Sequence, residues 1–189
     1  MNRVHTKYKN FIRAFAAVLL LIAFAAPLAW AGNPNWAKAV RLAGVPNLHR
    51  VTDNLYRGAQ PAEEGFKNLE RLGIKTVVNL RSLHADDLRG TSLKGVRIRM
   101  EAWDPEFGQI VRVMSILSDP DGAPYFVHCQ HGADRTGMVT AVYRMAVQGW
   151  SKDEAIAEMT DGGYGFHAVW TDIPKFLRKL DVERVKAMM

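Results

Sequence analysis

The run YFVHCQHGADRTG, residues 125–137, decides the fold. Residues 125–127 are apolar over the length of a short buried strand, and residues 136–147 carry apolar side chains at helical spacing. The residues between them form a loop that leads into the N-terminus of that helix. Backbone N–H groups at such a loop and helix end attract anions, so the sequence predicts an anion-binding loop here. We call residues 129–135 the Cys129 loop.

Two side chains of the Cys129 loop suit chemistry on a bound phosphoryl group. The field that attracts anions also favours a thiolate over a thiol, which makes Cys129 the candidate nucleophile. Arg135 returns to face the sulfur across the loop, and its guanidinium can hold two phosphoryl oxygens. Gly132 lets the backbone approach closely. The predicted phosphate contacts are Gln130, His131, Gly132, Ala133, Asp134 and Arg135.

The first residues have the pattern of a targeting segment. Residues 1–13 contain four basic and no acidic side chains, an apolar run follows over 14–26, and Ala29-Trp30-Ala31 is a small-x-small cleavage site. These features predict a signal peptide over 1–31, a single domain over 32–189 and export to the periplasm. An uncleaved anchor in the inner membrane is the alternative, because residues 14–31 are uncharged over the shortest length that spans a bilayer.

The charge and the cysteine content narrow the function further. Without the four basic residues of the predicted signal, the formal net charge falls from +6 to +2, and no long basic run remains. We therefore predict no nucleic-acid partner, and a membrane partner only if the signal is uncleaved. The chain has a single cysteine and so no internal disulfide, which leaves Cys129 either inert and buried or a free thiol with a chemical role.

Strand and helix patterns alternate along residues 50–150. The strand candidates are residues 55–57, 74–80, 96–100 and 125–127, and the helix candidates are residues 62–72, 107–117 and 136–147. Alternation of this kind predicts an α/β fold with a central, mostly parallel sheet flanked by helices. We also expect a helical turn within 36–42, a polar loop over 82–93, a capping box formed by Ser151 and Glu154, and a last helix over 173–188.

The motif at residues 128–137, His-Cys-x-x-Gly-x-x-Arg-Thr-Gly, resembles the phosphate-loop signature of protein tyrosine and dual-specificity phosphatases. Residues 54–61 and 72–81 resemble the bacterial, fungal and plant subgroup of atypical dual-specificity phosphatases. With the predicted export signal, the chain is most similar to periplasmic tyrosine phosphatases of Gram-negative bacteria. The resemblance implies a phosphotyrosine-phosphatase-like fold, a cysteinyl-phosphate intermediate, and no cofactor or metal.

The family also implies an aspartic acid, upstream of the cysteine, that protonates the leaving oxygen and then activates water. Asp104 is the best candidate, because it follows a predicted strand on a loop that Pro105 helps to shape. Its alternative role is N-cap of a helix that begins at Pro105 or Glu106. Asp119 and Asp121 lie in a turn, where Asp is common for conformational reasons.

Supporting roles follow from the same resemblance. Thr136 is expected to donate a hydrogen bond to the sulfur, although an N-cap role is compatible with its position. His128 resembles the residue that keeps the cysteine ionised through a hydrogen-bond network. Arg57 and Arg81 resemble residues near the rim of such sites, but arginines at strand ends are more often surface ion-pair partners, and we assign them no role.

The expected substrate is a phosphorylated protein, with phosphotyrosine first and phosphoserine or phosphothreonine next. Inositol phosphates, phospholipid head groups and a non-catalytic phosphate-binding module are the alternatives. Ala133 and Asp134 occupy loop positions where relatives that cleave inositol phosphates tend to carry basic residues. The negative charge of Asp134 should therefore disfavour a highly charged inositol polyphosphate.

Overall fold

The computed structural model describes residues 33–189, so the predicted signal peptide lies outside the described residues. Residues Asn35–Met189 form one compact unit that contains two clusters of buried apolar side chains. Because this unit carries its own core, it can be produced and tested without the preceding segment. Within residues 33–189, no helix has the length and apolar character needed to cross a membrane.

A six-stranded sheet forms the centre of the unit, with the strand order β1-β2-β3-β6-β4-β5. Its strands are β1 (Lys38–Ala39), β2 (His49–Thr52), β3 (Leu55–Gly58), β4 (Thr76–Arg81), β5 (Lys94–Met100) and β6 (Tyr125–His128). Strands β3, β6, β4 and β5 are parallel, whereas β1 and β2 add an antiparallel edge. The predicted mostly parallel sheet is confirmed. The Cys129 loop leaves the carboxyl end of β6, between β3 and β4, where ligands bind in open α/β sheets.

Helices cover both faces of the sheet. They are α1 (Glu63–Arg71), α2 (Phe107–Leu117), α3 (Asp134–Ala146), α4 (Lys152–Asp161), α5 (Asp172–Lys179) and α6 (Val182–Met188). Successive side chains of a strand point to opposite faces. Accordingly, Val77 and Phe126 join the smaller cluster with α1, whereas Val78 and Val127 join the larger cluster with the other helices. This packing fixes β6 and α3, the two elements that hold the Cys129 loop.

Three local predictions differ from the structure. Residues 36–42 contain strand β1, not a helical turn, because Lys38 and Ala39 pair with β2. Helix α3 begins at Asp134 and not at Thr136. The apolar pattern misses the start because the first turn of the helix is polar. The segment 173–188 is two helices, because a second helix begins after Asp181, whose carboxylate accepts a hydrogen bond from the backbone N–H of Arg184 at 3.0 Å.

A buried ion pair joins α3 to α4 behind the Cys129 loop. The Arg144 guanidinium donates to both carboxylate oxygens of Glu158, at 2.7 and 2.6 Å, and both side chains are almost completely buried. One oxygen of Glu158 also accepts the backbone N–H of Ala37 at 2.7 Å. The pair therefore connects the first strand region, α3 and α4.

Replacing Glu158 by glutamine should lower the free energy of unfolding by about 3–5 kcal/mol, because it leaves the buried Arg144 charge without a counter-charge. Urea denaturation of the unit measures this loss. The matched control is Glu183→Gln, which removes the exposed ion pair with Lys186 and should cost less than about 0.5 kcal/mol. Equal losses in the two variants would show that the buried ion pair stabilises the unit no more than an exposed ion pair does.

Candidate active site

The Cys129 loop forms a cradle of unpaired backbone donors. Between Gln130 and Thr136, no backbone N–H group donates to an acceptor within residues 33–189. Cys129, the first residue of this loop, is only 1% exposed. Buried donors that lack a protein acceptor are expected to serve a ligand. The loop, which begins with Cys129, therefore fits an anion bound by backbone N–H groups and by the N-terminus of α3.

Gly132 sets the curvature of the loop. Its φ of +68° lies in the left-handed region, and a Cβ at this position would approach the backbone of Gly58 to 2.3 Å. Both restrictions exclude a larger side chain without a shift of the backbone. The predicted need for glycine thus has two causes, the loop conformation and the close packing of the loop on the end of β3.

Arg57 supports the loop from below, a role that the sequence analysis did not assign. Its side chain is 1% exposed, and Nη2 donates to the carbonyl of Gly132 at 2.8 Å. The guanidinium lies 4.1 Å from the ring centroid of Tyr164. Burial lowers the pKa of Arg57 to about 10, and the nearby Tyr164 and Glu158 oppose that effect. Arg57 therefore remains charged at neutral pH and places a positive charge beneath the anion cradle.

His128 is held by a carboxylate that the sequence analysis did not single out. The buried His128 ring places Nε2 3.0 Å from Asp86 Oδ2 and Nδ1 3.3 Å from the carbonyl of Cys129. An ionised carboxylate only accepts, so Nε2 carries a proton. Burial of Asp86 opposes its ionisation, but hydrogen bonds with His128, Gln60 and Asn79 outweigh this, and its pKa lies below the ordinary value. His128 therefore lies in a hydrogen-bond network anchored by Asp86, and its role in keeping Cys129 ionised stays a prediction.

Arg81, which the sequence analysis also left without a role, extends the same network. Its Nη1 donates to Gln60 Oε1 at 3.0 Å, and Gln60 Nε2 donates to Asp86 Oδ1 at 2.9 Å. The backbone N–H of Gln60 also donates to the carbonyl of Gln130 at 3.2 Å. Side chains from β4, the turn after β3 and the 82–93 loop thus fix one side of the Cys129 loop.

Asp86→Asn should lower the free energy of unfolding by about 1–2 kcal/mol at pH 7, because it weakens a charged hydrogen bond to a buried ring. The folded-state pKa of Asp86 lies below its unfolded value, so this stabilisation is present above about pH 4 and is lost as the pH falls further. Urea denaturation of both proteins at pH 7, 5 and 3.5 measures the gap. A gap that stays constant or widens in acid would contradict the ionised pairing.

Arg135 and Thr136 present further unpaired donors to the cradle. Arg135 Nη1 donates to the carbonyl of Met100 at 3.2 Å, which ties the end of β5 to the loop. Arg135 Nε and the Thr136 hydroxyl are buried and have no hydrogen-bond partner within residues 33–189. Thr136 lies inside the first turn of α3, whose N-cap is Ala133, so its alternative N-cap role is wrong. Its hydroxyl is free to serve the sulfur or a bound oxyanion.

Asp104 lies on the loop that connects β5 to α2. Its side chain is exposed and makes no hydrogen bond or ion pair with residues 33–189. Helix α2 begins at Phe107 with Glu106 at the N-cap, so the alternative in which Asp104 caps this helix is wrong. The loop starts directly after Met100, which bonds to Arg135. Asp104 is therefore a free carboxyl group on a loop attached to the cradle.

The variable side chains of the Cys129 loop divide into two groups. Gln130 and His131 are exposed, and Ala133 is buried. Asp134 is 7% exposed, and its Oδ1 accepts the backbone N–H of His167 at 2.9 Å. The other carboxylate oxygen of Asp134, Oδ2, lies 2.9 Å from His167 Nδ1. The Asp134 carboxylate is thus engaged by both the backbone and the ring of His167.

Comparison with known proteins agrees with this geometry. The family model described as "DSP-PTPase phosphatase fused to NAD+ Kinase" matches residues 32–168. The chain belongs to the dual-specificity phosphatases. This phosphatase is 34% identical over 169 residues to the dual specificity protein phosphatase TpbA of Pseudomonas aeruginosa, with 87% of the chain and 76% of that relative covered. It is 25% identical over 152 residues to the inositol diphosphatase DSP5 of Arabidopsis thaliana, with 75% and 72% covered.

Solved structures show the same fold. The crystal structure of Pseudomonas aeruginosa TpbA superposes with a TM-score of 0.73 at 33% identity, covering 82% of this chain and 96% of that one. A variant of TpbA in complex with phosphotyrosine gives 0.72 at 32% identity, with the same coverage. The phosphotyrosine-phosphatase-like fold is confirmed, and the phosphatase is a phosphoric monoester hydrolase by family.

Proposed function

We propose that this phosphatase hydrolyses phosphotyrosine in proteins through a cysteinyl-phosphate intermediate. One observation carries the proposal: the buried Cys129 begins a loop whose N–H groups from Gln130 to Thr136 have no acceptor within residues 33–189. The Cys129 thiolate attacks phosphorus while the bond to the tyrosyl oxygen breaks, and Asp104 gives its proton to that oxygen. Water then attacks phosphorus, the phosphorus–sulfur bond breaks, and Asp104 takes the proton.

The charges around the cradle support both steps. Arg135 and the unpaired N–H groups face the equatorial oxygens, where negative charge is held during transfer. Arg57 adds positive charge from below the loop. The unpartnered Thr136 hydroxyl supplies a hydrogen bond to the sulfur when the thiolate leaves phosphorus in the second step.

The depth and rim of the site favour tyrosine over serine. Because Cys129 is only 1% exposed, a short seryl or threonyl side chain reaches the sulfur less easily than a tyrosyl side chain. Trp103 is 60% exposed, and its ring lies 6.2 Å from that of Trp170. Met100 ties the Trp103 loop to Arg135, and His167 ties the Trp170 segment to Asp134. These ties support the proposal that the two rings form an aromatic rim near the loop and contact a tyrosyl ring.

The relatives support phosphotyrosine as the substrate, and they also indicate the main alternative, an inositol phosphate. TpbA is named a dual specificity protein phosphatase and has been solved with phosphotyrosine, whereas the similar Arabidopsis protein is named an inositol diphosphatase. His167 engages Asp134, but the acidic side chain remains in the loop and is expected to disfavour a highly charged inositol phosphate. The variable positions Gln130, His131 and Ala133 still provide no lysine or arginine for additional phosphates.

Phosphate release by residues 32–189 from three peptides that differ only in phosphotyrosine, phosphoserine or phosphothreonine tests the proposal, with an inositol pyrophosphate in parallel. We expect kcat/KM for the tyrosine peptide to exceed the others by at least about tenfold, because only its ring contacts the rim. Trp103→Ala should raise KM for that peptide. Faster turnover of the inositol pyrophosphate would replace the proposal, and no turnover of any substrate would indicate a phosphate-binding module.

We further propose that the phosphatase acts in the periplasm after removal of residues 1–31. The basic, apolar and small-residue segments of that stretch support this location. Expression of the full chain in a Gram-negative host, followed by osmotic release and N-terminal sequencing, is the test. A released protein that begins at Gly32 is expected, and a full-length protein retained in the inner membrane would favour the anchored alternative.

A further inference from the structure

Three side chains with metal-binding atoms converge at the rim of the Cys129 loop. His131 and Asp134 belong to the loop, and His167 comes from the segment after α4. One candidate ligand atom from each residue lies within 4.8 Å of the other two. The two imidazole rings are 5.4 Å apart between centroids, and His167 Nδ1 lies 2.9 Å from Asp134 Oδ2. The backbone N–H groups of His131 and Asp134 belong to the phosphate cradle, but the three side chains of the cluster take no part in the proposed phosphoryl transfer.

Hydrogen bonds to the backbone hold the segments that carry these three residues in place. Asn47 is the one non-glycine residue within 33–189 that has a positive φ, +54°. Its Nδ2 donates to the carbonyls of His131 and Tyr164, both at 2.9 Å. Asn47 thus links the Cys129 loop to the segment that carries His167. Asp134 is fixed in turn by its place in the first turn of α3 and by the backbone N–H of His167.

We propose that His131, Asp134 and His167 form a binding site for a divalent transition-metal ion, with Zn²⁺ as its representative. Two imidazoles and one carboxylate are a ligand set that suits Zn²⁺, and three protein ligands leave a position open for water or an anion. Metal binding at His167 Nδ1 requires the ring proton on Nε2, so the proton between Nδ1 and Asp134 moves to Nε2 by exchange with solvent and no net proton is released. No oxidation or reduction is involved.

A metal ion in this cluster lies beside the phosphate cradle, because two of its ligands are loop residues. Its open position attracts an oxygen of a phosphoryl group and so competes for that oxygen with the N–H groups of the cradle. Coordination also restrains His131 and Asp134. Occupancy of the site therefore lowers phosphatase activity and makes the enzyme sensitive to Zn²⁺.

The binding test uses a protein without the thiolate, which is itself a zinc ligand. Zn²⁺ is titrated into metal-free residues 32–189 carrying Cys129→Ser, in competition with a chromogenic chelator, and Co²⁺ replaces Zn²⁺ for a visible spectrum. One ion per chain is expected. Loss of a group that only supports a metal ligand typically lowers metal affinity about 10–100-fold. His167→Gln removes a ligand itself. Introduced into the Cys129→Ser protein, it should therefore raise the Kd for Zn²⁺ at least about tenfold.

Two comparisons separate a lost ligand from a lost fold. His167→Gln keeps a side-chain donor for Asp134, and the thermal midpoint of each variant shows whether it folds. The matched control is His84→Gln, which removes an exposed histidine outside the cluster and should leave the Kd unchanged. Asp134→Asn should weaken binding as His167→Gln does. The same Kd in all these variants, or no binding by the parent, would overturn the proposal.

A second readout uses the active enzyme. Half-inhibition of p-nitrophenyl phosphate hydrolysis should need at least about tenfold more Zn²⁺ in His167→Gln than in the unaltered enzyme, each measured against its own metal-free rate. Equal sensitivity would show that Zn²⁺ acts on the thiolate and would overturn the inhibitory role. Because the binding test uses an inactive variant, it can succeed even if phosphotyrosine is not the substrate.

Discussion

Cys129→Ser should reduce kcat for p-nitrophenyl phosphate by at least about 10⁴-fold, the scale seen when an enzyme loses its nucleophile. A serine hydroxyl is close in size to the thiol but is not ionised at neutral pH, so no anion is available to attack phosphorus. No second cysteine exists to take over the reaction. Initial rates measured in EDTA with reduced protein give the comparison.

Binding should survive in the same variant. The donors of the cradle are backbone N–H groups, Arg135 and the Thr136 hydroxyl, and none of them is changed. We therefore expect the phosphotyrosyl peptide to bind Cys129→Ser with a Kd near the Michaelis constant of the unaltered enzyme. Retained binding also shows that the loss of turnover is not a loss of folding.

Trapping the intermediate gives an independent test of the nucleophile. A phosphorylated substrate mixed with the unaltered enzyme and quenched in acid should leave one phosphoryl group on the peptide that contains Cys129, detected by mass spectrometry. Cys129→Ser should give no such adduct. Turnover by Cys129→Ser within tenfold of the unaltered enzyme would place the nucleophile elsewhere.

The parts of the site that the sequence predicts are those contained in one continuous segment. Cys129, Gly132 and Arg135 lie between a short apolar strand and an amphipathic helix, and that local order fixes an anion-binding loop without further information. The central strands are predictable for a similar reason. A β-branched apolar run such as residues 74–80 suits a strand that is buried on both faces.

The parts that the sequence does not predict depend on contacts between distant segments. Arg57 has the local pattern of a strand-end arginine, and only the crossover that brings β6 beside β3 places it under Gly132. Asp86 lies in a polar loop without periodicity, so nothing near it in sequence points to His128. The weak signal available for Arg57 is its place next to the Gly58 turn in a motif shared with the family.

The start of helix α3 is a second case in which local sequence does not predict a contact with a distant segment. The apolar pattern of α3 becomes visible only at Thr136, although the helix begins with the polar Asp134. As a result, a reading from apolar periodicity places Asp134 in the loop and leaves its charge without a partner. The partner is His167, thirty-three residues further on, and no local rule connects the two.

Asp104→Asn should lower kcat for a phosphotyrosyl peptide by about 10²–10⁴-fold, the usual contribution of a general acid. The tyrosyl oxygen is a poor leaving group, because the phenol has a pKa near 10, and it needs a proton as its bond to phosphorus breaks. Asparagine keeps the size of the side chain but has no acidic proton. The effect should be smaller for p-nitrophenyl phosphate, whose phenolate leaves more easily.

The surroundings of Asp104 leave it available for this role. It is exposed, has no hydrogen-bond or ion-pair partner within residues 33–189, and is not the N-cap of α2. Glu106→Gln is the matched control, because Glu106 is an exposed carboxyl group on the same loop whose side chain makes no cap hydrogen bond. Glu106→Gln should therefore change kcat little, and it should keep the pH profile of the unaltered enzyme.

The pH profile separates an acid from a merely structural residue. In the unaltered enzyme, kcat/KM should fall on the basic side as the general acid loses its proton, and Asp104→Asn should remove that limb. A change that only disturbs the loop would lower the rate at every pH and keep the limb. If Asp104→Asn and Glu106→Gln have equal rates and equal profiles, the proton comes from another group, and the loop attached to Arg135 serves only to shape the rim.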